Sequence, residues 1–136
     1  MKAVLWTKYG SPDVTIPKNI MYEQAAASSE GAHYEYNFIN RVDLRKGQNV
    51  LVNGSTGAIG STAVQLLKYF GANITAVCAT KNIELVRELG ASKAIDYTKE
   101  SFTKDDEKYN YVFDTVGKSS FFKCMKLLKP GGVFNA

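Results

Sequence analysis

A chain of 136 residues, 45% hydrophobic and 22% charged, has the size and composition of about one folded domain, which argues against a disordered or fibrous protein. One histidine excludes a histidine-rich metal site, and Cys78 and Cys124 form neither a CxxC pair nor a disulfide framework. No apolar run approaches the roughly 18 residues of a membrane span, and the opening Met1–Trp6 stretch is too short for a signal peptide, so a cytoplasmic protein with no membrane partner is expected.

In chain order, Lys2–Trp6 reads as a short strand ended by the turn Gly10-Ser11-Pro12-Asp13. Helices are expected over Asn19–Ser29 and from near Glu30 to Arg41, followed by the polar turn Arg45-Lys46-Gly47-Gln48. From there the pattern becomes regular. Asn49–Asn53 is a strand of the buried type, and Ala58–Phe70 a helix presenting Ile59, Ala63, Leu66, Leu67 and Phe70, with Gly71 as its C-terminal cap. Ile74–Cys78 is a second strand, Lys81–Leu89 a helix closed by Gly90, Ala94-Ile95 a third strand and Tyr111–Phe113 a fourth. A helix over Lys118–Leu128 is stopped by Pro130-Gly131-Gly132, and Val133-Phe134 opens a fifth strand.

Strands alternating with helices favour parallel βαβ units, because parallel neighbours require a crossover. The expected fold is therefore α/β: a Rossmann-type, doubly wound parallel sheet of about five strands, incomplete, plus the short N-terminal strand. The chain divides into an opening strand (1–15), a helical lead-in (16–46) and a dinucleotide-binding unit (47–136).

Charge is unevenly placed. Residues 1–116 hold 13 Lys/Arg and 13 Asp/Glu, whereas the last twenty hold Lys118, Lys123, Lys126 and Lys129 with no acid. Such a patch reads either as a nucleic-acid arm or as the solvated face of an amphipathic helix. Interleaving with Phe121, Phe122, Met125, Leu127 and Leu128 favours the helix face, and no nucleic-acid partner is expected.

The segment Asn53-Gly54-Ser55-Thr56-Gly57-Ala58-Ile59-Gly60 lies between an expected strand and an expected helix. Against the pattern GxGxxG its frame is Ser55-x-Gly57-x-x-Gly60, with serine in the first glycine position. Gly57 would let backbone approach a pyrophosphate, Gly60 would let helix and strand pack closely, and the helix N-terminus would offer free amides. An NAD site usually places Asp or Glu about 20 residues further on, to hold the ribose diol. Between Asn53 and Ile83 there is no acid, and the second strand ends in Cys78-Ala79-Thr80-Lys81. A hydroxyl and an ammonium suit a 2′-phosphate, so NADP(H) is favoured over NAD(H). Gly117-Lys118-Ser119 imitates half a P-loop, but Val112 occupies the position where the leading glycine belongs.

Read in order, the motifs Leu51-Val52-Asn53-Gly54-Ser55-Thr56-Gly57-Ala58-Ile59-Gly60, Ala63-Val64-Gln65-Leu66, Leu89-Gly90-Ala91, Ile95-Asp96-Tyr97, Phe113-Asp114-Thr115-Val116-Gly117 and Leu128-Lys129-Pro130-Gly131-Gly132 resemble the coenzyme domain of the medium-chain dehydrogenase/reductases. The resemblance is to the zinc-independent, quinone-oxidoreductase-like branch. Ile16-Pro17-Lys18-Asn19 with Tyr22–Ala27 resembles the segment leading into that domain, and Met1-Lys2-Ala3-Val4 the family's first strand. Such proteins carry a catalytic domain between those two segments, whereas here Asp13-Val14-Thr15 runs into Ile16-Pro17. The resemblance thus implies a dehydrogenase with an internal deletion and a C-terminal truncation.

Carried over by position, the resemblance implies that Ser55, Gly57, Ala58, Ile59 and Gly60 cradle the pyrophosphate. It puts Thr80 and Lys81 at the 2′-phosphate, Tyr97 by the adenosine end, and Val116 and Gly117 along the coenzyme. His33 is expected on a helix surface, with no catalytic residue and no metal ligand in the chain, so zinc is not expected. The implied parent passes hydride between NADPH and a small carbonyl, quinone or alcohol substrate, and a homo-oligomer is expected. The fragment alone is expected to be inactive. The alternatives are a non-enzymatic NADP-binding or redox-sensing module and, less well matched, a methyltransferase-type fold, which usually wants an acid after the second strand.

Overall fold

The computed structural model describes residues 42–136 together with Met21, Gly31, His33 and 36–39. The expected opening strand and the Thr15–Ile16 junction lie outside the described residues, as does the expected Asn19–Ser29 helix apart from Met21, which is not helical. Gly31, His33 and 36–39 are helical, as expected for the segment between Glu30 and Arg41.

Five strands follow: β1 (Asn49–Asn53), β2 (Asn73–Cys78), β3 (Lys93–Asp96), β4 (Tyr109–Asp114) and β5 (Leu128–Asn135). Helix α1 (Ala58–Tyr69) joins β1 to β2, α2 (Ile83–Leu89) joins β2 to β3, and a short α3 (Phe121–Cys124) precedes β5. All four pairings are parallel and the sheet order is β3-β2-β1-β4-β5. The expected doubly wound sheet of five strands is therefore observed. Strand order reverses between β1 and β4, and in such sheets the crevice beyond the carboxyl ends at the reversal is where ligands sit.

The central strand explains why the sheet needs helices on both faces. Val50, Leu51 and Val52 are all fully buried, Val50 and Val52 with Ala63, Val64 and Leu67 of α1, and Leu51 with Val112, Cys124 and Leu127 on the opposite face. Alternation in β1 thus feeds two cores, each large side chain contributing roughly 1.5–3 kcal/mol. The face α1 buries is Gly60, Ala63, Val64 and Leu67. This is rotated from the expected face: Ile59 and Leu66 are half-buried and Phe70 is 38% exposed. The glycine at position 60 lets the helix sit close enough for Ala63 and Val64 to seal the interface.

The segment after β4 departs most from expectation. Instead of one helix over Lys118–Leu128, the chain forms the four-residue α3, a 3₁₀ turn over Met125–Leu127, and then β5 from Leu128. At its near end Asp114 Oδ2 accepts the Ser119 amide at 2.5 Å from the loop after β4, and at its far end Leu128 pairs with Tyr109 of β4 instead of continuing a helix. Cys124 and Leu127 are the buried residues, three apart, while Phe121 is 46%, Phe122 81% and Met125 52% exposed. The expected apolar stripe is therefore not the buried one. Pro130-Gly131-Gly132 does not precede β5 but lies within it, at a register irregularity opposite Tyr109 and Tyr111. Proline lacks the ladder amide, which is why the irregularity falls there. Likewise Thr80–Asn82 is a 3₁₀ turn and α2 begins only at Ile83.

Candidate functional site

The site is built at the carboxyl ends of β1, β2, β3 and β4. Gly54 follows β1 with φ +80° and lies so close to the loop after β4 that a β-carbon there would stand 2.5 Å from Val116 Cγ1 and 2.9 Å from Thr115 Oγ1. A left-handed residue pressed against a neighbouring loop must be glycine. The turn is sewn to both flanking strands: Ser55 N and Oγ donate to Val77 O at 3.2 and 2.9 Å, while Thr115 N and Oγ1 donate to Asn53 O at 3.1 and 2.8 Å.

Ser55 is fully buried, so its hydroxyl ties β1 to β2 and does not point outward. The serine fills the first glycine position because a hydroxyl there satisfies a strand-end carbonyl.

Gly57 caps α1 with extended backbone, exposed, and no side chain caps the helix. A β-carbon at Gly57 would meet nothing nearer than Gly54 O at 3.7 Å, whereas one at Gly60 would stand 2.1 Å from that same oxygen. The two glycines therefore serve different ends: Gly60 permits packing, Gly57 leaves open space in front of a helix N-terminus. The first turn of α1 holds no acidic residue, and the leading amides of a helix have no intrahelical acceptor, an arrangement that suits an anion. Gly31 packs over this turn, where a β-carbon would lie 2.6 Å from Thr62 Oγ1 and 2.7 Å from Ala58 O.

Two buried carboxylates, neither assigned a site role from the sequence, brace the loops. Asp114 ends β4 opposite Asn53, its register partner, and its Oδ1 accepts Asn53 Nδ2 at 3.0 Å and Val116 N at 3.3 Å. A polar pair at matching strand ends was the signal available in the sequence. Asp96 ends β3, where Oδ2 accepts Thr80 Oγ1 at 2.5 Å and Oδ1 accepts Thr98 Oγ1 at 2.6 Å and Thr98 N at 3.0 Å. The stretch free of acids between Asn53 and Ile83 is thus approached by an acid from β3, which strand pairing alone reveals.

The Thr80 hydroxyl first, then Thr98, lower the Asp96 carboxyl from 3.8 to about 2. A carboxyl held below its unfolded value stabilises the fold above about pH 4, and that contribution is lost as pH falls through about 2. Acid unfolding followed by circular dichroism is expected to show wild-type stability falling more steeply between about pH 4 and 2 than that of Asp96→Asn. Parallel slopes would remove Asp96 from the acid limb.

Lys81 is exposed and has no ion-pair partner among the described residues, whereas Lys99 Nζ lies 3.7 Å from Asp96 Oδ2. Tyr97 is 59% exposed and its amide donates to Cys78 O at 3.1 Å. Val116 is 48% exposed, and Gly117, φ +63°, would carry a β-carbon into open space. A cleft of about 270 Å³ at the reversal of strand order is lined by Phe38, Ile59, Phe113, Asp114, Thr115 and Gly117 with Asn135 and Ala136. His33 is exposed, 3.2 Å from Asn37 Nδ2. Cys78 and Cys124 are buried in cores on opposite faces of the sheet, and burial raises both thiols.

The zinc-binding dehydrogenase family matches residues 58–136. The chain is 38% identical over 118 residues to the 2-methylene-furan-3-one reductase of Solanum lycopersicum. It is 39% identical over 118 residues to the chloroplastic NADPH-dependent alkenal/one oxidoreductase of Arabidopsis thaliana. Each alignment covers 85% of this chain and 30% of the relative, so the chain spans under a third of the curated relatives it matches. The quinone oxidoreductase of Thermus thermophilus, also solved in complex with NADPH, superimposes with a TM-score of 0.79 at 28% identity, over 89% of this chain and 41% of that one. The Coxiella burnetii quinone oxidoreductase shares the fold, with a TM-score of 0.82 at 24% identity over 89% and 38% of the two chains.

The chain belongs to the zinc-binding dehydrogenase family, in the medium-chain dehydrogenase/reductase class. Among the described residues no three His, Cys, Asp or Glu side chains gather into a metal-binding cluster. No helix among them is long and apolar enough to cross a membrane.

Proposed function

We propose that this chain is the coenzyme-binding portion of an NADP(H)-dependent oxidoreductase acting on small enones, quinones or other carbonyl compounds, or on alcohols in reverse. The observation that carries this is the open space before Gly57, at the N-terminus of α1 and the reversal of strand order, with Lys81, exposed and without an ion-pair partner among the described residues, in the turn after β2. NADPH-dependence in the Arabidopsis relative and the NADPH complex of the Thermus protein support the same reading.

In it, Gly57, Ala58, Ile59 and Gly60 bring the amides of the α1 turn to the pyrophosphate, with Ser55 holding that turn from beneath. Lys81, beside Thr80, takes the 2′-phosphate, Tyr97 borders the adenosine, and Val116 and Gly117 flank the path toward the cleft by Phe38 and Phe113. Bound there, the coenzyme would supply hydride chemistry. The chain's part is orientation: amides and an ammonium fix the anionic groups, and the apolar cleft walls exclude water. Residues 47–136 form the coenzyme unit and 16–46 its lead-in.

Titration of the chain with both coenzymes is expected to show NADP(H) bound more tightly than NAD(H), with the preference shrinking by about tenfold in Lys81→Ala, the loss of one charge-assisted contact. Tighter binding of NAD(H) by the unmodified chain would overturn the reading. The same 136 residues are expected to bind without turning over a simple quinone or enone, because near-attack positioning needs groups on the substrate side as well. NADPH oxidation above that of a chain carrying Gly57→Val would contradict this.

Self-association belongs to the same reading. β5 pairs with β4 alone among the described strands, and an unpaired edge is a template for another chain. Sedimentation over a concentration series is expected to show a species larger than the monomer, and Val133→Lys, placing charge on that edge, to shift it back. A strictly monomeric wild-type chain would remove the oligomer.

A further inference from the structure

Asp96 joins two turns that the strand order brings side by side. From β3 it accepts the Thr80 hydroxyl of the turn after β2, and the hydroxyl and amide of Thr98 from the turn after β3 itself. The two threonine hydroxyls are 3.0 Å apart, and the carboxylate residue is 6% exposed. Tyr97 N adds a parallel tie to Cys78 O at 3.1 Å. The Thr80–Asn82 turn itself is only three residues long and has no side-chain cap, so the Thr80–Asp96 bond is the side-chain tie that fixes it.

We propose that Asp96 is a positioning residue for coenzyme selectivity, clamping the Thr80–Lys81 turn to the Tyr97–Thr98 turn with its charge spent inward on three donors. This rests on the NADP(H) reading and extends it to a residue whose charge has the same sign as the ligand's. A bare carboxylate at this strand end would repel a 2′-phosphate or accept a ribose diol. Here three donors already bind its two oxygens, and Lys99 rather than Lys81 lies against it, at 3.7 Å. Lys81, next in the chain to one clamped threonine, is left for an anion. Tyr97, next to the other, is held on the adjoining turn.

Calorimetric binding of 2′,5′-ADP and 5′-AMP to the full chain, with melting temperatures alongside, tests this. Asp96→Ala is expected to lose about tenfold in 2′,5′-ADP affinity with little change for 5′-AMP, the equivalent of one charge-assisted contact. Asp96→Asn is expected to restore most of it, because its NH₂ can donate to Thr80 Oγ1 while its oxygen keeps Thr98. Where Asp96→Ala fails to fold, Thr98→Val, which removes one hydroxyl of the clamp, carries the same comparison. Equal losses for both ligands would make Asp96 a stabilising residue only, and gains in 2′,5′-ADP affinity in Asp96→Ala and Asp96→Asn would make its charge merely repulsive. An unchanged Asp96→Ala would also overturn the clamp. A wild-type chain that does not prefer 2′,5′-ADP overturns the NADP(H) reading first, and the clamp with it.

Discussion

Replacing Gly60 by alanine is expected to destabilise the chain by about 3 kcal/mol or more, a large share of a small domain's stability. The added β-carbon would stand 2.1 Å from Gly54 O and 2.8 Å from Ser55 Cα, which are backbone atoms of a turn tied to β2 and β4 and unable to rotate aside. Relief requires α1 to lift from β1, opening the core of Ala63, Val64 and Leu67. Gly57→Ala is the informative contrast. Its backbone is extended, a conformation open to any residue, and its β-carbon has room, so stability should change by less than about 1 kcal/mol. Coenzyme affinity should nevertheless fall by about tenfold or more, because that room is where the pyrophosphate is proposed to lie. Denaturant melts and coenzyme titrations of the two variants check both halves. A folded Gly60→Ala chain of wild-type stability would mean that α1 packs less closely than described.

The second large effect is expected at Asp114. Asp114→Ala would strip the acceptor from Asn53 Nδ2, Ser119 N and Val116 N, three donors around a residue only 4% exposed. Donors left unsatisfied cost about 1–3 kcal/mol each where they are buried, and water can reach part of this loop, so a loss of about 3 kcal/mol is expected. The 115–119 loop would loosen with it, releasing Val116 from Gly54 and weakening coenzyme binding. Asp114→Asn should recover part of the stability, since the Asn53 amide can turn its oxygen to the new NH₂ while one loop amide goes without its partner. Chemical denaturation of the two variants gives the comparison. Equal stability of Asp114→Ala and wild type would show that the loop is held by other contacts.

The contrast between the two carboxylates has one cause. Asp114 meets two backbone amides, which only donate, beside the Asn53 carboxamide, so amide replacement leaves one backbone donor mismatched. Asp96 meets hydroxyls on two of its three bonds, and a hydroxyl can turn from donor to acceptor.

What the sequence determined by itself was the order of elements and the place of the glycine turn after β1. Those depend on local signals: the continuous apolar run of β1, the helical spacing of Ala63 and Leu67, and the glycines at 57 and 60, all legible within a dozen residues. The parallel, doubly wound sheet followed from alternation, because strands separated by helices favour parallel pairing. Tertiary structure decided what depends on neighbours distant in the chain. Ser55 turned inward because the sheet brings Val77 O, on another strand, within reach of both its amide and its hydroxyl. The Lys118–Leu128 helix gave way at its far end because β4 offers the chain from Leu128 onward a parallel partner, Leu128 pairing with Tyr109. Asp96 reached Thr80 only because β3 lies beside β2, sixteen residues bridged by strand pairing and not by any local pattern. Helix and strand propensities act over a few residues, whereas the partner of a buried polar group is chosen by the sheet that brings it there.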